Sequence, residues 1–377
     1  MYPTVDFIFL NEKDMVKAGV KNMPKCIGTM EELLRCVHKG DYVMAGENHD
    51  SHGAQVSFPT SSPFPEMPLD DGDDRRFMAM PAYVGGSFDM AGVKWYGSNM
   101  SNKKVGLPRS VLTVMLNDKM TGVPLCLMSA NLLSAYRTGA VPGVGAKYLA
   151  PKAANTVAIC GPGVMGHTAL AAMLCVRPSI KHVKVKGRGQ KSLMNFIKDI
   201  KVRCPQLYSV EPVDTVEELV KNSDIVIFSN TGGTDPSSYP FVKSEWLKPG
   251  CLIAALSCFD MDSKDMADNC KLVVEHRGLY EAWAREFEYP AFGKNNIIGS
   301  KFTDMVHDGL ITNEQIFDLG DIMEGTVTGR DDPDQKIIYS IGGMPVEDIA
   351  WGKACYENAI AGGIGTKLRL WDSPALA

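Results

Sequence analysis

Residues 157–173 read VAICGPGVMGHTALAAM. A short apolar run meets three glycines, and a segment of small residues follows. Gly161, Gly163 and Gly166 are spaced as G-x-G-x-x-G. Between a strand and a helix, such a turn serves a dinucleotide. The first glycine makes the tight turn, the second lets backbone approach the pyrophosphate, and the third lets the helix pack on the strand. The helix N-terminus attracts the negative charge, so Val164 and Met165 join the three glycines as candidate cofactor contacts.

The segments that follow support this reading. HVKVKGRG, KSLMNFIKDIKV, SVEPVD, VEELVKNS, DIVIFSNT, CLIAALS and KLVVE alternate strand and helix patterns. That alternation implies an α/β fold, a Rossmann-type doubly wound parallel sheet. Before Pro151 the pattern is mixed. MEELLRCVHKG has helical spacing, whereas AQVSFP, RRFMAMPAYVGG, VKWYGSNM and SVLTVMLNDKMTGVPLCLMSA read as strands with turns. ANLLSAYRTGAVPGVGAKYLA reads as a helix interrupted near Pro142. The 377 residues therefore suit two domains. An α+β domain is expected over 1–150 and the dinucleotide domain over 151–319. The tail from about 320 to 377 is expected to rejoin the first domain.

The end of the second strand selects the cofactor. An acid about 20 residues beyond the turn would bind the ribose 2′-hydroxyl of NAD. Here Gly187 stands at that place, flanked by Lys184, Lys186, Arg188 and Lys191. Cations without a carboxylate suit a 2′-phosphate, which favours NADP(H) over NAD(H), with Arg188 as the main contact and Lys186 as a second. Asn230 and Thr231 end the strand of DIVIFSNT, at the sheet edge where cofactors bind.

A net charge of −5 argues against nucleic acid as a partner. No apolar run approaches the roughly 20 residues of a membrane span. The N-terminal MYPTVDFIFLNEKD lacks a basic region before its apolar run and reads as a strand. The ten cysteines are scattered, without C-x-x-C or zinc spacing, and suit core positions in a reducing cytoplasm. No metal site is expected.

The run GVKWYGSN followed by GLPRSVLTVMLNDKMTGVPLCLMSANLLSAYRTGAVPGVGAKYLAPKAANTVAICGPGVMG resembles the ornithine cyclodeaminase/mu-crystallin family. The resemblance continues more weakly through LGDIMEGTVTGR and SIGGMPVEDIA, and so covers most of the chain. It implies hydride transfer at a C–N bond of a small amino acid, amine or cyclic imine, and a homodimer formed through the first domain. Lys94 matches the family's active-site lysine, which contacts the substrate carboxylate and shuttles a proton. Arg137 matches an arginine that holds the same carboxylate. Both residue types fit: a carboxylate takes charge-assisted donors, and a lysine beside an arginine has its pKa lowered.

Two stretches depart from the family pattern. The family's upstream arginine is missing, for no arginine lies between Arg35 and Arg75; ENHDSHGAQVSFP offers His49, Asp50 and His52 instead. His49 is the candidate substrate contact there. In CLIAALSCFDMDSKDM, Phe259 occupies the place of the acid that assists amine chemistry, and Asp260 stands next to it as the candidate replacement. These departures favour an imine or ketimine reductase, or an amino-acid or amine dehydrogenase, over a deaminating cyclase. A cofactor-binding accessory subunit is the competing class.

Overall fold

The computed structural model describes residues 3–376 other than Asp71, Asp73 and Thr234. The chain divides into two compact units. One comprises 1–22, 39–137 and 344–377; the other comprises 23–38 and 138–343.

The first unit is built on an eight-stranded sheet. Its order is Thr366–Trp371, Val5–Leu10, Pro124–Ser129, Ser110–Asn117, Met90–Ser98, Arg76–Val84 and Tyr42–Met44, with Ala54–Ser57 also on Arg76–Val84. All neighbours are antiparallel except Val5–Leu10 and Pro124–Ser129. Side chains alternate along Arg76–Val84: Met78, Met80, Ala82 and Val84 are buried, whereas Phe77 and Pro81 are exposed. That period of two is what a half-buried strand requires. The helix Pro345–Gly362 covers the buried face. Its Trp351 is fully enclosed and donates Nε1–H to the Val20 carbonyl at 3.3 Å. Proline at the first turn and left-handed Gly363 after the last set the ends of this helix.

The second unit carries the expected parallel sheet, also of eight strands. Its order is Ser209–Pro212, His182–Lys186, Thr156–Cys160, Ile225–Phe228, Leu252–Ala255, Lys336–Ser340, Cys270–Val274 and Ile316–Asp318. Every neighbouring pair is parallel. Ile225–Phe228 and Leu252–Ala255 are buried throughout, which is why they read as unbroken apolar runs. Each such large side chain contributes about 1.5–3 kcal/mol. Sequence order reverses at Thr156–Cys160, so the crevice beyond its carboxyl end is the natural ligand position.

Three details differ from the expectations. Lys336–Ser340 falls within the segment expected to rejoin the first domain, yet it lies between Leu252–Ala255 and Cys270–Val274 in the parallel sheet. The second unit therefore runs to 343. The helix Met23–His38 groups with that unit as well: Arg35 Nη2 donates to the Tyr148 hydroxyl at 2.9 Å, and Glu31 accepts from Lys147 and Tyr148. Finally, the helix Asn131–Leu149 runs through Pro142 without a break. Its glycines supply the reason, since Gly139, Gly143 and Gly145 lie where a Cβ would strike Thr168, Ala172 and Tyr339. Close packing holds the helix despite the lost backbone donor. Among the described residues, no helix is long and apolar enough to cross a membrane.

Candidate functional site

The glycine turn has the form its sequence implies. Gly161 takes φ +101°, and a Cβ there would lie 2.5 Å from the Asn230 backbone nitrogen. A Cβ on Gly166 would come within 2.7 Å of the Gly161 carbonyl oxygen. Those two glycines are demanded by the turn itself. Nothing lies within 4 Å of a Cβ on Gly163, so its position is open to a ligand. Gly163 caps the helix Val164–Val176 with no side-chain hydrogen bond. The first-turn N–H groups of Val164, Met165 and Gly166 therefore remain as donors for an anion. His167 fixes the turn from behind. Its Nδ1 meets the Gly163 carbonyl at 2.9 Å, and its Nε2 lies 3.1 Å from Asp199. A bare helix N-terminus beside an unobstructed glycine fits a dinucleotide pyrophosphate.

The basic strand end is more selective than its composition implies. Gly187 is required because a Cβ would sit 2.6 Å from Pro162 of the turn. Lys184 Nζ donates to the carbonyls of Glu218 and Lys221 at 3.1 and 2.5 Å. Lys186 Nζ donates to the Asp214 carbonyl. Both lysines are thus committed to neighbouring backbone. Arg188 stays exposed, with Nη2 3.2 Å from the Thr231 carbonyl. Asn230 ties two strand ends together, accepting from Ser257 Oγ at 3.1 Å and donating to Cys258 Sγ at 3.4 Å.

The first unit contains a buried group of four charges. Lys94 lies across from Met80 and Val114, both fully buried, so its side chain faces the covering helix. There its Nζ donates to Asp348 Oδ2 at 2.7 Å. Arg137 grips the same carboxylate side-on, Nε to Oδ1 at 3.1 Å and Nη2 to Oδ2 at 2.9 Å. Its Nη1 donates to Glu347 Oε2. Lys94 and Arg137 are 3% and 4% exposed, and both acids are fully buried. The acids occupy the first turn of Pro345–Gly362, where the helix dipole favours negative charge.

Burial governs the protonation of this cluster. It pulls Lys94 down to about 8, assisted by the Arg137 charge and opposed by Asp348. It also works against the charge on Arg137, but Asp348 and Glu347 more than offset it and hold the guanidinium above its usual value. For Asp348, burial is outweighed by Arg137 and Lys94, and the carboxyl stays below its ordinary range. For Glu347, burial outweighs Arg137, Asp348 adds repulsion, and the carboxyl is raised. One lysine is thereby poised near neutrality beside a permanently charged arginine.

The remaining expected residues are placed differently. Asp260 has its own partners within the second unit: Lys301 pairs with it, and its Oδ1 accepts the Met261 N–H at 2.9 Å. It belongs to the second unit and ties a loop to the helix Ile298–His307. Phe259 is fully buried and stacks on Phe228 at 4.6 Å, a core contact. His49 takes φ +62° in the turn before Ala54–Ser57 and is exposed. Its backbone closes the turn, donating to Gly46 and accepting from Met44. Sequence reasoning missed Glu347 and Asp348 as site residues. The signal available was an acid pair at the start of an otherwise apolar helix.

A parallel sheet with this turn at its carboxyl edge defines the dinucleotide-binding class of α/β proteins. The chain belongs to the ornithine cyclodeaminase/mu-crystallin family, whose model matches residues 20–363. Among curated relatives it is similar to N-((2S)-2-amino-2-carboxyethyl)-L-glutamate dehydrogenase of Staphylococcus aureus. That likeness is 26% identical over 368 residues, 97% of this chain and 99% of the relative. Among solved structures it is similar to Thermococcus litoralis Delta(1)-pyrroline-2-carboxylate reductase in complex with NADH and L-proline. The TM-score is 0.76 at 24% identity, over 96% of this chain and 99% of the other. An archaeal alanine dehydrogenase dimer with bound NAD gives a TM-score of 0.73, also at 24% identity, over 97% and 100%.

Proposed function

We propose that the protein is an NAD(P)-dependent oxidoreductase acting at the C–N bond of a small amino acid or cyclic imine. The observation that carries the reading is the buried Lys94–Asp348–Arg137 set in a chain of this family. The relatives point the same way, since the three named above are a dehydrogenase of an N-substituted L-glutamate, a pyrroline-carboxylate reductase and an alanine dehydrogenase.

A nicotinamide cofactor, when bound, would supply hydride chemistry at the carbon that bears nitrogen. The turn at Gly161–Gly166 holds the diphosphate through backbone donors. Arg137 and Lys94 orient the substrate carboxylate by charge-assisted hydrogen bonds. Asp348 keeps both cations in register. Lys94, lowered to about 8, gives up or takes a proton at Nζ during turnover near neutral pH. Asp260, engaged by Lys301, is left out of this scheme.

NADP(H) is the preferred cofactor in this reading. Support comes from Gly187, where an acid would collide with Pro162, and from Arg188, which is the exposed cation beside it. The protein is a homodimer joined through the uncovered face of the first sheet. Phe77 and Trp95 stack there at 5.7 Å while 41% and 45% exposed. The ten cysteines are all free, which suits the cytoplasm.

The test is titration with NADPH and NADH, paired with a screen of cyclic imines and amino acids at the nicotinamide absorbance band. We expect turnover that Lys94→Ala abolishes, and Arg188→Ala to weaken NADPH by about tenfold or more with little change for NADH. Full activity in Lys94→Ala would end the mechanism. Equal losses for both cofactors would end the 2′-phosphate assignment.

A further inference from the structure

The charged cluster has one oxygen without a partner. Glu347 Oε2 is taken by Arg137, but Glu347 Oε1 is buried and makes no hydrogen bond. Its neighbours are Lys94, Arg137 and Asp348, the charged groups that act on it. A buried carboxylate oxygen left this way is costly, so it persists in a fold where a ligand or another interaction offsets it.

Adding up donors shows what would fit. Two basic and two acidic side chains cancel, so the cluster is neutral. Lys94 spends one of its three N–H donors on Asp348. Arg137 keeps donors beyond those given to the two acids. The unspent valence is therefore cationic donors on Lys94 and Arg137 and one anionic acceptor on Glu347. A zwitterion matches that pattern and leaves the net charge unchanged: its carboxylate meets the donors, and its protonated nitrogen meets the acceptor.

We propose that Glu347 Oε1 is the recognition site for the protonated nitrogen of the substrate, accepting an N–H hydrogen bond from an α-ammonium or cyclic iminium. This rests on the amino-acid or imine reading above and adds the group that selects nitrogen. Burial and Asp348 raise the Glu347 carboxyl although Arg137 opposes them. The residue discriminates an amino acid from the corresponding simple acid, which Lys94 and Arg137 alone would not do.

Calorimetric titration of the cofactor-loaded protein with matched pairs tests this: L-proline against cyclopentanecarboxylate, and L-alanine against propionate. Wild type is expected to favour the nitrogen-bearing member by at least about tenfold. Glu347→Gln should remove that preference without weakening binding of the simple acid, because the cluster then carries one uncompensated positive charge. Glu347→Asp should restore part of it. If Glu347→Gln does not fold, the aspartate variant decides, and an undiminished preference there overturns the proposal. An undiminished preference in a folded Glu347→Gln protein also overturns it and leaves the oxidoreductase reading intact. If wild type binds neither member of either pair and converts no amino acid or imine, that reading fails and the nitrogen site fails with it.

Discussion

Asp348 is the residue on which the buried cluster turns, and Asp348→Asn exposes its energetics. The wild-type carboxylate balances Lys94 at 2.7 Å and Arg137 through two contacts. Asparagine is nearly isosteric but removes the charge. If both cations stayed charged, an uncompensated buried charge would cost about 3–5 kcal/mol. The alternative is to shed the Lys94 proton. With Lys94 at about 8, deprotonation at pH 7 costs about 1.4 kcal/mol for the one unit involved. Weakened hydrogen bonds add about 1 kcal/mol. The cheaper route wins, so the variant should lose about 2–3 kcal/mol at pH 7, not about 5.

The pH dependence carries the sharper test. Removing a negative charge lowers the pKa of every neighbour, Lys94 and Glu347 alike, so the native variant binds fewer protons than native wild type. In that window stability of the variant rises with pH relative to wild type. The destabilisation should therefore be largest near pH 6 and shrink toward pH 8, by up to about 1.4 kcal/mol per unit. Urea unfolding of both proteins at pH 6, 7 and 8, followed by tryptophan fluorescence and circular dichroism, measures it. A destabilisation that stays constant across this range would refute the coupling between Asp348 and Lys94.

Further outcomes follow from the same geometry. In imine reduction kcat/KM should fall as pH rises through about 8, where Lys94 loses its proton; a pH–rate series checks this, and Lys94→Met should remove both the limb and most of the rate. Gly161→Ala places a side chain at φ +101° and 2.5 Å from Asn230 backbone, so it should lower the thermal midpoint and weaken NAD(P)H binding by at least about tenfold in a fluorescence titration. For the homodimer proposed above, Trp95→Lys should shift sedimentation toward monomer while cofactor affinity is kept, because Trp95 lies on the exposed face of its strand.

The sequence by itself determined the dinucleotide half. Strand, glycine turn and small-residue helix are local features, and the central strands Thr156–Cys160, Ile225–Phe228 and Leu252–Ala255 announced themselves as apolar runs because both of their faces are buried. Lys94 and Arg137 were legible as candidates through their surrounding motifs, and a lowered Lys94 pKa was expected from the arginine, but burial, the larger cause, was not legible. In Met90–Ser98 the usual pattern is inverted: the lysine points in and Trp95 points out. That inversion becomes meaningful only once the covering helix is in place.

Tertiary structure decided the rest. Asp348 and Glu347 lie more than 200 residues from their partners, at 254 from Lys94 and 210–211 from Arg137. No periodicity or spacing brings such groups together, because their pairing is set by which face the last helix covers. The same holds for Asp260, which looked available in sequence until Lys301 claimed it, and for Lys336–Ser340, whose place in the sheet comes from pairing with two strands distant in the chain. Local composition fixes how a segment folds. Long-range packing fixes which charges share a buried, low-dielectric site, and that sharing sets their protonation.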